Sequence, residues 1–336
     1  MKKIGSIVLS LLLTLCFCSC KDTKENKLSS TQVMMDTVVT VTIWDSDQET
    51  LNSAIALCKK YEQLFSRTVE GSDVSRINKA VENSNAESNE VLSATVSDET
   101  IEILKSAQDM SQKSDGAFDV TILPLVKLWN ITNATKPPKE ADIENAKLKV
   151  NFNSLQISGN EVSSRFAQID LGGIAKGYIA DKVCEYLKSK GVKKAIINLG
   201  GNVCVMGDEN YSIGIQKPFD LHGESAAVLK LSNKTTVTSG IYERYFEYEG
   251  EIYHHIIDPK TGYPANNNVA SVTVIADNSS IADCLSTACL ILGVDDGMKL
   301  AYEYNAETVF ITTDGEIIVS KGLNKTDGET PTITFE

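Results

Sequence analysis

At 336 residues and 42% hydrophobic content, the chain can bury a full core, as one large domain or two small ones. Its formal net charge is −13. An acidic chain of this kind excludes nucleic acid as a partner, because binding a phosphate backbone needs a basic footprint.

The first element is an export signal. Lys2 and Lys3 precede an apolar run, Ile4 to Phe17, which has signal-peptide length and is too short for a comfortable membrane span. The run ends in Phe17-Cys18-Ser19-Cys20, small residues and then a cysteine, similar to a bacterial lipoprotein processing box except that Phe17 stands where Leu is usual. Cleavage before Cys20 makes residues 1–19 a lipoprotein signal and leaves the Cys20 thiol as the lipid attachment point. The other reading is an ordinary cleaved signal peptide. Lys21 to Gln32 is charged and hydroxyl-rich, so residues 20–32 read as a lipidated cysteine and flexible tether. Residues 33–336 form the folded body. The expected location is the bacterial cell envelope, lipid-anchored to a membrane and facing the periplasm.

Val38 to Trp44 is a β-branched strand, and Glu49 to Phe65 an amphipathic helix. Thr100 to Ser114 is a second helix, ending at Asp115-Gly116. Lys136-Pro137-Pro138-Lys139 is a clear loop, followed by a short helix and a hairpin up to Ala167. A strand from Phe166 to Leu171 runs into Gly172-Gly173 and a helix from Tyr178 to Ser189. Ala195 to Leu199 meets Gly200-Gly201-Asn202 and returns as Val203 to Met206. Two short aromatic strands flank Glu249-Gly250, a hairpin signal. The mixed order indicates an α+β fold and not a regular βαβ array.

Four segments carry candidate chemistry, each beside a plainer reading. Two of the three histidines, His254 and His255, leave the aromatic hairpin for a rigid Asp258-Pro259 and Thr261-Gly262-Tyr263-Pro264 loop. That loop either holds polar groups over a ligand or is only a tight exit turn. Asp170-Leu-Gly-Gly-Ile-Ala-Lys-Gly177 joins paired glycines to a helix start with Lys176: a phosphate site made of backbone amides and one full charge, or a tight strand-to-helix turn. It is neither a Walker A loop nor a dinucleotide fingerprint. Asp283 and Thr287 lie four residues apart on a helix and share a face. They are hard oxygen ligands suited to Mg²⁺, or Asp283 only suits the helix dipole. In Asp115-Gly-Ala-Phe-Asp119, Asp119 accepts hydrogen bonds from a ribose or base, or caps the next segment.

Of the eight cysteines, Cys16, Cys18 and Cys20 belong to the export signal. Cys58, Cys184, Cys204, Cys284 and Cys289 are odd in number, form no CxxC pair and fall mostly in helix or strand interiors. They read as buried apolar thiols, not a disulfide frame or zinc site.

In order and wording these segments resemble one family. Met35-Asp-Thr37, Phe65-Ser66 with Ser72-Asp-Val-Ser-Arg-Ile-Asn78, Asp115-Gly-Ala-Phe-Asp119, Asp170-Leu-Gly-Gly-Ile-Ala-Lys-Gly177, Asn198-Leu-Gly-Gly201, Thr238-Ser-Gly-Ile-Tyr242, His255-Ile-Ile-Asp-Pro259 and Ala282-Asp283 with Thr287 are similar to the ApbE family of FAD:protein FMN transferases, from Val33 to about Thr313. The resemblance implies a single ApbE-like domain that cleaves the pyrophosphate of FAD with Mg²⁺. FMN then passes, through a phosphoester bond, to a Thr or Ser hydroxyl of an exported flavoprotein subunit. FAD is thus a substrate. The expected acceptors are exported subunits of Na⁺-translocating NADH:quinone reductase or Rnf-type complexes. By position, Met35, Thr68, Ala117, Phe118, Asp119, Asp170, Lys176 and Ile257 are implied in FAD binding. The Gly173 carbonyl, Asp283 and Thr287 are implied in metal binding, and His255 in proton movement from the acceptor hydroxyl.

Two departures bear on these expectations. Asp36 replaces the usual Gly of Met-Gly-Thr, and Thr68 stands where many members carry an aromatic residue against the adenine. Both bear on the balance between transfer and hydrolysis. Two other readings therefore stand beside transfer: a Mg²⁺-dependent FAD pyrophosphatase releasing FMN and AMP, and a lipoprotein that binds flavin without chemistry. The sequence has no Ser-Gly-Ala-Thr, the kind of acceptor motif the family modifies, so the acceptor is expected to be another protein.

Overall fold

The structure is a computed structural model that describes residues 26–84, 91–220, 222–323 and 332–335. β1 (Lys27–Met34) and β2 (Thr37–Trp44) form a hairpin. Then come α1 (Gln48–Phe65), α2 (Asp73–Asn83), β3 (Ser93–Thr95), α3 (Asp98–Lys113), α4 (Leu123–Trp129), α5 (Glu140–Lys147), β4 (Gln156–Ser158) and β5 (Glu161–Ser163). α6 (Ala175–Ser189) leads into β6 (Ala195–Leu199), β7 (Asn202–Met206), β8 (Tyr211–Gln216), β9 (Ser225–Leu231) and β10 (Thr235–Gly240). The hairpin β11 (Tyr245–Tyr248) and β12 (Glu251–His254) follows, then β13 (Val269–Ala276), α7 (Ser279–Glu303), β14 (Glu307–Thr312), β15 (Ile317–Val319) and β16 (Thr332–Phe335).

The main sheet runs β1-β2-β6-β7-β10-β13-β14-β15 with antiparallel pairing throughout. β13, Val-Ala-Ser-Val-Thr-Val-Ile-Ala, is buried at every position because both faces of the sheet are covered. Val272 and Val274 join the helix-side core with α1, α6 and α7, whereas Ile275 joins Val205, Val309 and Ile311 under the small sheet β16-β9-β8. This alternation is the period of two expected of a strand between two layers. The result is an α+β domain of helices, large sheet and small sheet. Asp47, Ser72, Ser97 and Asn278 cap α1, α2, α3 and α7 by accepting from the amide three residues on.

Three expectations are corrected. Lys27 to Gln32 is not tether but most of β1, an edge strand whose side chains alternate exposed and half-buried while its backbone pairs with β2. Its polar composition suits an edge and hid the strand. Residues 1–25, including Cys20, lie outside the described residues. Phe166 to Leu171 is not a strand. Ile169 N donates to Asn78 Oδ1 at 2.7 Å and Ile169 O accepts from Asn78 Nδ2 at 2.9 Å, so a buried side chain satisfies the backbone there in place of a neighbouring strand. The helix after Gly173 starts at Ala175, not Tyr178, which puts Lys176 in its first turn.

Among the described residues, no helix is long and apolar enough to cross a membrane. α7 breaks at Gly293 (φ 80°), and Asn267 Nδ2 caps its first half by donating to the Leu290 and Ile291 carbonyls at 2.7 and 2.9 Å.

Candidate active site

The site is built where α6 crosses α7. Gly177 permits the crossing: a Cβ there would lie 2.2 Å from the Ser279 carbonyl oxygen. Asp283, only 3% exposed, is thereby carried onto the first turn of α6. Its Oδ2 accepts from Gly177 N at 2.9 Å, and its Oδ1 lies 3.6 Å from Lys176 Nζ. Lys176 also donates to the Gly172 carbonyl at 3.1 Å. One turn along α7, Thr287 faces Gly173, whose Cβ position is 3.4 Å from Thr287 Oγ1 and 3.0 Å from the Phe118 ring. Gly173, Lys176, Asp283 and Thr287 therefore meet at one spot, although α6 does not offer all its first amides freely. Those of Ala175 and Gly177 are already engaged by the Leu171 carbonyl and Asp283.

Among the described residues, no three His, Cys, Asp or Glu side chains form a metal-binding group. The donors at this spot are oxygen only: the Asp283 carboxylate, the Thr287 hydroxyl and the Gly173 carbonyl. One carboxylate with two neutral oxygens is a donor set that suits Mg²⁺ and not zinc. Lys176, close to Asp283 Oδ1, supplies positive charge where a cation would share that carboxylate.

Asp170 holds the other side of the glycine turn. Its Oδ1 accepts from Gly172 N at 2.8 Å, and its Oδ2 pairs with Arg67 Nε at 2.9 Å. Arg67 ties the α1–α2 loop to the site and has no motif of its own. Its neighbour Thr68 is exposed and hydrogen-bonds Ser66 Oγ through both its amide and its hydroxyl. A cleft of about 240 Å³ opens beside Arg67, lined also by Asn78, Lys79 and Lys127; it is too small to enclose a whole dinucleotide.

The two histidines have opposite arrangements. His254 is buried; its Nε2 donates to the Ala265 carbonyl at 2.8 Å and its Nδ1 accepts from Ile256 N at 3.3 Å. It clamps the loop, and burial lowers its pKa. His255 is half-buried, and its Nδ1 approaches the Arg244 carbonyl at 3.3 Å. A carbonyl only accepts, so Nδ1 carries the proton and Nε2 keeps a lone pair. Burial first, then the positive charge of Arg244, lowers the His255 pKa to about 3. The imidazole is neutral near neutrality, and Lys176 is among the charges acting on it.

The remaining positions divide between support and turn. Ala117 and Phe118 are buried, with Phe118 beneath Gly173. Asp119 acts as a cap: it accepts from Thr121 N and Oγ1 at 2.8 and 2.7 Å and from Phe152 N at 3.1 Å, while burial raises its pKa. The Ile257 side chain packs in the cluster of Leu125, Trp129 and Ile143, and its backbone bridges to Pro264. Met35 and Asp36 form the β1–β2 turn, both with positive φ (54° and 55°), the type I′ pattern in which glycine is usual at the second position. Met35 N donates to Glu62 Oε1 at 2.6 Å. Sequence reasoning missed Arg67, Glu62 and Arg244, which act through contacts distant in sequence, and it quoted Asn78 within a motif without finding its contact to Ile169.

Fold and site together define a domain with the architecture of solved flavin transferases. It superposes on "Flavin Transferase ApbE from Vibrio cholerae" with a TM-score of 0.77 at 27% identity, covering 88% of this chain and 98% of that one. An ApbE protein from Thermotoga maritima superposes equally well, at 29% identity and the same coverage. The chain belongs to the ApbE family, whose profile matches residues 35–310. A FAD:protein FMN transferase of Klebsiella pneumoniae is 36% identical over 299 residues, 87% of this chain and 91% of that protein. One from Haemophilus influenzae is 30% identical over 341 residues, 95% and 96% of the two chains.

Proposed function

We propose that the chain is a Mg²⁺-dependent FAD:protein FMN transferase of the bacterial cell envelope. It cleaves FAD, releases AMP and joins FMN by a phosphoester bond to a Thr or Ser hydroxyl of an exported flavoprotein subunit. Flavin transfer is the activity in the names of its relatives. Mg²⁺ and the acceptor class, an exported subunit of an Na⁺-translocating NADH:quinone reductase or Rnf-type complex, are what this reading adds. The observation that carries it is the α6–α7 crossing, which sets Asp283 against Lys176 and Gly177 and Thr287 against Gly173.

In this reading Lys176 and the glycine turn bind the pyrophosphate, and Asp170, held by Arg67 and Gly172, keeps that turn in shape. Asp283, Thr287 and the Gly173 carbonyl would hold the metal, which would supply positive charge against the negative charge of the pyrophosphate. His255 takes the proton of the attacking hydroxyl at Nε2, its Nδ1 being engaged by Arg244 O. Phe118 closes the floor against water. The deciding experiment incubates the purified protein with FAD and Mg²⁺, with and without an acceptor subunit, and follows AMP, free FMN and protein-bound flavin. AMP with equal protein-bound flavin supports transfer; unchanged FAD in both arms overturns catalysis. One observation favours some hydrolysis: Thr68 is exposed and small, which leaves that side of the site open to water. AMP with free FMN alone would make the protein a pyrophosphatase.

A further inference from the structure

We propose that Cys184 and Cys204 form a disulfide that staples α6 to β7 behind the candidate active site. Their Sγ atoms stand 2.8 Å apart, closer than two unbonded sulfurs rest and within a small side-chain adjustment of bonding distance. The two cysteines come from different layers. Cys184 lies in α6, one turn beyond Asp181, whose carboxylate accepts from Ser279 N and Ser280 N, both at 2.8 Å, and caps α7. Cys204 is on β7, on the sheet face that packs against the helices. The other three body cysteines differ. Cys58, Cys284 and Cys289 are at most 2% exposed, and the Cys289 thiol donates to the Gly297 carbonyl.

The pair is also reachable. Cys204 is half-buried, and both sulfurs line a cleft of about 200 Å³ with Lys188, Lys234 and Met206. The hydrogen bond to Cys204 and burial hold the pKa of the Cys184 thiol up, so the half-buried Cys204 is the sulfur that meets the oxidant first. Formation needs a disulfide oxidant, such as oxidised glutathione. The Cys204 thiolate attacks one oxidant sulfur and releases the first thiol. The Cys184 thiolate then attacks the Cys204 sulfur and releases the second. The two cysteines lose two protons and two electrons, which leave in the two thiols. The bond anchors α6, whose first turn carries Lys176 and Gly177, to the central sheet.

The test uses the full chain equilibrated with excess oxidised glutathione, then denatured, alkylated and digested with trypsin without reduction. The expected product is a linked pair of peptides, Val183–Lys188 and Ala195–Lys230, with Cys58, Cys284 and Cys289 alkylated. Reductant should lower the melting temperature of the oxidised protein by roughly 5–10 °C and leave that of Cys204→Ser unchanged. Alkylation of all five body cysteines would overturn the bond. A linked peptide with no reductant-dependent shift would overturn the staple. Neither outcome depends on flavin chemistry or on export, so failure here leaves the proposed function standing.

Discussion

His254 and His255 are neighbours with different duties, and hydrogen-bond partners separate them. His254 is closed on both ring nitrogens; His255 has Nδ1 engaged and Nε2 available. His255→Ala should therefore lower the transfer rate by roughly 10²–10⁴-fold while FAD affinity changes little, because a proton acceptor matters chiefly in the transition state. A mainly raised FAD dissociation constant would make His255 a binding residue. The pKa has its own consequence. In the folded chain it is lowered to about 3, below the value of roughly 6.5 for an unfolded His. Its contribution to stability is therefore present above pH 6.5 and is lost as pH falls from there towards 3. Asp283 needs a more careful substitution than alanine, since it also accepts from buried Gly177 N. Asp283→Asn keeps an acceptor oxygen and removes the charge, and should cut Mg²⁺-dependent AMP release by orders of magnitude with little change in melting temperature. Full activity at limiting Mg²⁺ would move the metal elsewhere. At the hairpin turn, Asp36 has φ 55°, a conformation that disfavours a side chain. Asp36→Gly should stabilise the fold by about 0.5–1 kcal/mol, measured by denaturant midpoint.

At the scale of elements, the crossing of α6 and α7 is the feature on which the site depends. A methyl group on Gly177 would meet the Ser279 backbone, not the end of a flexible side chain. Gly177→Ala should therefore push the helices apart, destabilise the protein by roughly 1–3 kcal/mol and weaken FAD binding by moving Asp283 from Lys176. An unchanged melting temperature together with unchanged affinity would show that the crossing tolerates a looser fit. Part of this element was legible in sequence. Asp283 and Thr287 are related by helical spacing, and the double glycine announces a tight turn. The partner surface was not legible, because the contact between Ser279 and Gly177 is a property of how two helices meet. The same division runs through the fold. α1 and the β11–β12 hairpin are written in local periodicity and turn residues. β1 is not, since an edge strand needs few apolar residues. The stretch before Gly172 looked like a strand by composition, yet its backbone partner is the Asn78 side chain, which no local pattern announces.

At the scale of the whole molecule, the early start of β1 shortens the link to the proposed anchor. Lys27 already pairs with Trp44, so the chain between Cys20 and Lys27 reaches at most about 25 Å when fully extended. A lipid on Cys20 would thus hold the domain close to the membrane surface that also carries the proposed acceptor subunit. Tethering of this kind raises the effective concentration of one partner around the other without adding a contact. Two consequences separate anchoring from catalysis. Cys20→Ala should move the protein from the membrane to the soluble periplasmic fraction, or block its processing. The purified variant should modify a soluble acceptor fragment at the unaltered rate, because the α6–α7 crossing and His255 are untouched. Transfer to a membrane-bound acceptor in intact cells should fall, and insertion of a long Gly/Ser segment after Asn26 in the wild-type chain should lower it partway. Unchanged membrane partitioning of Cys20→Ala would remove the lipid anchor from the account, whereas a slower reaction on the soluble fragment would mean that the N-terminal segment takes part in the site itself.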